Sequence, residues 1–140
     1  MGGVENKSEG PTHRRLLAWQ EAKTLAIQIY EVCKHQKDGI DRGVADQIRR
    51  AAISVPSNIA EGNGRGSNKD SLRFLYIARG SLCELETQIE VCLGVKLLPE
   101  ADARRLMKQA MVVGRLIGGL IHYRRQKENY EAAPKPRLPR

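Results

Sequence analysis

Arg104, Lys108 and Arg115 are spaced by four and seven residues in a segment of helical periodicity, so they share one face, with Arg105 beside them. Arg124, Arg125 and Lys127 continue the series toward the C-terminus. A row of guanidinium and ammonium groups at this spacing can follow a phosphate backbone and supply a salt-dependent, sequence-independent affinity. No aromatic residues alternate with these cations along the helix, which argues against stacking on single-stranded bases. No groove-reading motif accompanies them either, so any binding is expected to be weakly specific. The same row also suits a solvated helix face, and composition does not separate the two readings.

A second constellation pairs Arg49, Arg50, Asn58 and Glu61 with Arg79, Glu84, Glu86 and Gln88. The two groups fall in consecutive helical segments, which pack antiparallel, so opposite charges can meet. The preferred reading is an ion-pair network, within one subunit or between subunits, over a ligand site. Breaking a buried pair of that kind costs about 3–5 kcal/mol, because one charge is stranded.

The remaining candidates are weaker. Gly62-x-Gly64-x-Gly66 has the look of a phosphate loop, but it follows a helix and lacks the Gly-Lys-Ser/Thr ending. It reads as a helix-to-helix turn whose Arg65 could still meet a phosphate. His13, His35 and His122 lie on separate segments, and no metal-ligand or nucleophile motif is present. Neither a metal, a cofactor nor an enzymatic activity is expected. Cys33, Cys83 and Cys92 form no Cys-x-x-Cys pair and read as reduced core residues of a cytoplasmic protein. Cys83 and Cys92 are nine residues apart, on opposite sides of one helix.

These groups must be positioned by a single domain, because the chain has 140 residues. Six aromatic residues and a 41% apolar content imply a core of Leu, Ile, Val and Ala, which suits packed helices. The net charge is +8, and residues 99–140 carry ten Lys or Arg against four acids. The basic character therefore belongs to the end of the chain. The most apolar stretch, 110–121, is short and broken by Arg115, so no membrane span is expected.

Periodicity predicts four helices. The first runs from about Arg15 to Gln36 on a stripe of Leu16, Leu17, Trp19, Ala22, Ala26, Ile29, Tyr30 and Cys33, with Gly39 as a left-handed cap. Asp41 caps the second, whose stripe is Val44, Ile48, Ala51, Ala52, Val55 and Ile59. Pro56 either ends this helix at Val55 or leaves it kinked, and the continued period favours the kink. Ser67 and Asp70 resemble a capping box opening the third helix. Leu72, Leu75, Tyr76, Leu82, Cys83, Ile89 and Leu93 form its stripe, with Arg79 and Glu86 on the same stripe and Gly94 at the close. Pro99 starts the fourth, carried by Leu106, Ala110, Val113, Ile117, Leu120 and Ile121 to about Arg125. Ala110, Gly114 and Gly118 share a face where another backbone could approach closely.

Long helices on short loops give an all-α, up-down-up-down antiparallel four-helix bundle over 13–127. Residues 1–12 are expected to be disordered, and 128–140 to form a basic, Pro-rich disordered tail.

Several runs carry a resemblance: Trp19-x-x-Ala22, Gln47 to Ala51, Ser54 to Gly62, Gly64-Arg65, Ala78 to Leu82 and Glu84 to Gln88. From Leu17 to about Arg125 the chain resembles the small bacterial proteins encoded within intervening sequences of 23S ribosomal RNA genes. It departs from that pattern where Gly39 to Arg42 lacks the usual Pro and Glu, and where Asn63 replaces an aromatic residue. The resemblance implies a four-helix bundle assembling as a homopentameric ring, and it carries over no catalytic residue. Relatives by fold serve reverse transcriptases as accessory proteins that bind RNA or DNA, so such a protein partner is implied as well. The expected function is an oligomeric, non-enzymatic binder of structured RNA or RNA–DNA. The alternative is a structural or protein-interaction scaffold ring.

Overall fold

The computed structural model describes residues 12–35 and 41–139. After a single 3-10 turn at Thr12–Arg15, four α-helices follow: α1 Leu17–His35, α2 Arg42–Asn63, α3 Asn68–Gly94 and α4 Glu100–Ala132. Among the described residues there is no strand. The expected cap at Gly39 and the last residue of the first helix, Gln36, lie outside the described residues, as do 1–11 of the expected disordered N-terminus.

Local chemistry sets the boundaries. The Asp41 carboxylate accepts a hydrogen bond from the Gly43 amide at 2.8 Å, and the Ser67 hydroxyl accepts one from the Asp70 amide at 3.1 Å. Pro56 lies inside α2, which continues seven residues beyond it to Asn63. Gly62 is buried where α2 turns into α3, and a Cβ there would meet the Ser71 carbonyl oxygen at 3.1 Å and Phe74 Cβ at 3.3 Å. The Arg65 guanidinium lies over the Phe74 ring at 4.4 Å, packing the turn where Asn63 stands in place of an aromatic residue.

The helices form a closed antiparallel bundle in which α2 packs on α3, α3 on α4, and α1 on both α2 and α4. Asn68, the first residue of α3, bonds to Arg124 and Glu131 near the end of α4. Gln109 Nε2 donates to the Glu21 carbonyl at 3.0 Å and to its carboxylate at 2.6 Å, tying α1 to α4. The core is aliphatic: Leu25, Ile29, Ile48, Val55, Ile59, Leu85, Ile89, Leu106, Val113 and Ile117 are each at most 1% exposed. Burying side chains of this size stabilises the fold by about 1.5–3 kcal/mol each before entropy opposes it.

Several expected core positions differ. Leu17, Tyr30, Tyr76 and Leu93 are exposed, as is Cys83, while Leu25, Val32, Ala78, Leu85 and Cys92 are buried in their helices. Each displaced residue sits one position off the inward stripe, where a short apolar run makes neighbouring registers look alike. Of the three small residues of α4, Ala110 is fully buried in the core; a Cβ at Gly114 would meet Leu82 Cδ2 at 3.4 Å, an ordinary contact, and one at Gly118 would meet nothing within 4 Å. The neighbour is a side chain and not a second backbone.

The fourth helix also outruns its expected end. It reaches Ala132 instead of about Arg125, so the boundary at 127 falls inside it. Residues 126–132 contain neither Gly nor Pro, and the first proline comes at Pro134. The Asn68 amide donates to the Glu131 carboxylate at 3.0 Å, holding the extra turns to the start of α3.

Candidate nucleic-acid interface

The basic helix α4 divides into two stretches with different surroundings. At its start Glu100 and Asp102 of the first turn pair with Arg104 and, at 3.4 Å, with Arg105 of the next. These i to i+3 and i+4 pairs brace the helix start and lower the net field there. The stretch of α3 that packs beside it, 81–94, carries Glu84, Glu86 and Glu90 and no cation. Burial, and then the neighbouring Glu90 carboxylate, push the Glu86 carboxyl above its ordinary value. Lys108 and Arg115 are exposed farther along α4.

At the other end the charges of α3 are reversed. Residues 68–80 hold Lys69, Arg73 and Arg79 against a single acid, Asp70. A groove of about 420 Å³ between α3 and α4 is lined by Lys69, Arg73 and Tyr76 from α3, and by Arg125 and Glu128 from α4. Arg125 also lines the adjoining groove of about 410 Å³, where Arg79 faces His122 and Asn129. Arg125 is the residue that lines both grooves. Arg73 meets Asp70 at 3.4 Å; among the described residues, Lys69, Arg79 and Arg125 make no ion pair.

Of the other expected phosphate ligands, Arg124 is half-buried and donates to Asn68 Oδ1 at 3.1 Å, which makes it structural. Lys127 lies over Tyr123 at 5.6 Å. Arg65 is held by Glu61 at 3.1 Å as well as by the Phe74 ring. Arg65 therefore sits at the α2–α3 turn, away from the Arg104–Arg115 row.

The expected polar network is arranged differently within one chain. Among the described residues every ion pair is local to one helix or its cap. Arg49 reaches Asp46 at 3.7 Å, Glu61 reaches Arg65, and Gln88 donates to Glu84 at 3.2 Å. The bridge between α2 and α3 is neutral: the Ser54 and Ser81 hydroxyls lie 2.7 Å apart, and Asn58 donates to Ser54 Oγ at 3.0 Å. Arg50 is exposed, and Arg79 lies over Tyr76 on the opposite flank. Two members of the set keep buried atoms without a partner in the chain, Arg49 Nε and Gln88 Oε1.

Burial pushes the Cys33 and Cys92 thiols up, with Arg49 opposing it at Cys33. Among the described residues, no three His, Cys, Asp or Glu side chains are grouped to hold a metal ion. No helix of these residues is long and apolar enough to cross a membrane.

Fold and surface together define an all-α bundle with a lopsided basic face. The chain belongs to the 23S rRNA-intervening sequence protein family, whose model matches residues 14–119. A crystal structure of a protein of unknown function from the S23 ribosomal protein family of Bacteroides thetaiotaomicron is similar, with a TM-score of 0.68 and 20% identity. That likeness covers 75% of this chain and 98% of the other, and it concerns the fold. A comparison with curated proteins finds no match.

The Tyr76 and Arg79 contribution to the groove was not visible along the sequence. The only local sign is the spacing of Arg73, Tyr76 and Arg79 at three residues, which places a ring between two cations on one side of α3.

Proposed function

We propose that this chain is a non-enzymatic, oligomeric nucleic-acid-binding protein that engages structured RNA or RNA–DNA with weak sequence specificity. The observation that carries the reading is the convergence of Lys69, Arg73 and Arg79 from α3 with Arg125 from α4, which lines both of the adjoining grooves. Cations from two helices can meet a phosphate backbone from both sides, which a single row cannot. The Pro-rich stretch after Ala132 adds Lys135 and Arg137 at the same end.

The test is a fluorescence-anisotropy titration with structured RNA, duplex DNA and heparin across salt concentrations, on a sample sized by light scattering. Binding to nucleic acid that heparin competes poorly is the expected result. Equal affinity for every polyanion, or none near physiological salt, overturns the reading.

A second reading, a scaffold ring, is favoured by a different face. Ile27, Tyr30 and Ile53 are 50%, 44% and 45% exposed, and they line a groove of about 890 Å³ between α1 and α2. The unpartnered Arg49 Nε belongs to a residue of that groove. A homopentamer, which family likeness suggests, would cover such a face with another subunit. A molar mass of one chain by light scattering would rule the ring out.

A further inference from the structure

The aromatic residues of this protein are distributed unusually. None is in the core, and five of the six lie within 6 Å of a cation. Tyr76 differs from the others in its surroundings. The Phe74 ring already has two guanidinium groups against it, Arg65 at 4.4 Å and Arg73 at 5.0 Å. Tyr30 has Arg49 at 5.5 Å but sits in the apolar α1–α2 groove beside Glu31, and Tyr123 already has two cations over it, Lys127 at 5.6 Å and Arg124 at 5.9 Å. Tyr76 carries one guanidinium, Arg79 at 5.0 Å, and remains 38% exposed. It also lines the groove that holds Lys69, Arg73 and Arg125.

We propose that Tyr76 is a stacking platform for an unpaired nucleobase, so that the ligand of the α3–α4 groove is a single-stranded or bulged nucleotide and not a continuous duplex. This rests on the nucleic-acid reading above. Bases inside a duplex are already stacked on one another, so a ring on a helix surface can stack only on a base that is free. Arg73 and Arg79 lie three residues to either side of Tyr76, about 4.5 Å along the helix axis in each direction. A strand running along α3 with one base on Tyr76 presents its two neighbouring phosphates to those guanidinium groups. Arg79 lies over one face of the ring at 5.0 Å, so the base takes the other face, and the guanidinium polarises the ring while meeting phosphate at its edge. Arg125 closes the groove from α4. An unpaired base in a hairpin bulge or loop satisfies both demands without base-specific contacts, as does one in an unstructured strand.

The test uses labelled RNAs of one length at about 100 mM salt: an unstructured strand, a perfect duplex, and the same duplex with one unpaired base. They are titrated against the wild type, Tyr76→Ala, Tyr76→Phe and Arg73→Ala/Arg125→Ala, each checked by circular dichroism. The unstructured and bulged RNAs are expected to bind about tenfold more tightly than the duplex. Tyr76→Ala should erase that preference and leave duplex affinity unchanged. Tyr76→Phe, which keeps the ring, should retain it. The double variant should weaken all three RNAs alike. Equal binding of all three by the wild type, or equal losses in Tyr76→Ala, overturns the stacking proposal alone. No binding of any RNA by the wild type overturns the nucleic-acid reading with it.

Discussion

The two ends of the α3–α4 pair carry comparable numbers of cations on α4, yet they offer different surfaces. Near the start of α4, Arg104 and Arg105 are each matched by an acid one turn away, and the adjoining part of α3 is acidic. Near its end, Arg125 faces the cations of the first half of α3. A row of basic residues read along one helix does not by itself give the sign of the surface at each end. The acids of the same helix, and the charge of the helix packed beside it, decide the local field.

The largest effect should come from a change that spares neither end. Ile117 is fully buried, and Ile117→Ala should cost about 2–5 kcal/mol, read as a lowered urea midpoint with unchanged slope. A loss below about 1 kcal/mol would mean that the two ends are not held by one core.

Next in size is the contrast itself. Lys69→Ala/Arg125→Ala should reduce the slope of log affinity against log salt by about 2, whereas Arg104→Ala/Arg105→Ala should change it little. Equal slopes for the two variants would erase the distinction between the ends.

A smaller effect concerns the acidic end. Because burial and Glu90 raise the Glu86 carboxyl, its ionised form opposes folding. That cost is absent below the unfolded-state value and complete above the folded one. Glu86→Gln should therefore raise Tm at neutral pH by an amount on the order of 1 °C, given partial exposure, and the difference should vanish by about pH 4. A lowered Tm at neutral pH would indicate that a cation of another subunit meets Glu86.

The smallest effect is expected at Cys83, exposed on the acidic half of α3. Alkylating agents should reach it long before the buried Cys92, and its modification should leave RNA affinity unchanged. A loss of affinity would extend the interface over the acidic half.

Much of the fold was legible because its signals are local. Asp41 and Ser67 cap the helices they precede, Gly94 ends α3, and the stripe of α4 from Leu106 to Ile121 is the one that is buried or half-buried. Tyr30 and Cys83 went astray because an apolar residue one position off the stripe satisfies the same period. The end of α4 was obscured by the Pro-rich composition beyond it, although helix formers run to Ala132. The basic row was legible as charge, but its division was not. Whether Arg125 meets Arg79 depends on the register between helices about fifty residues apart in sequence, and no local pattern carries that information.

The overhang of α4 has a consequence in time. At 1.5 Å per residue its 33 residues span about 50 Å, against about 28 Å for the 19 residues of α1. Beyond Ile121 the helix has no buried apolar residue, and Asn68 anchors it by hydrogen bonds alone. Amide hydrogens of those last turns should exchange through local fraying, many orders of magnitude faster than those around Ile117, which wait for the bundle to open. One edge of the basic groove is therefore free to unwind and re-form while the rest of the molecule stays folded.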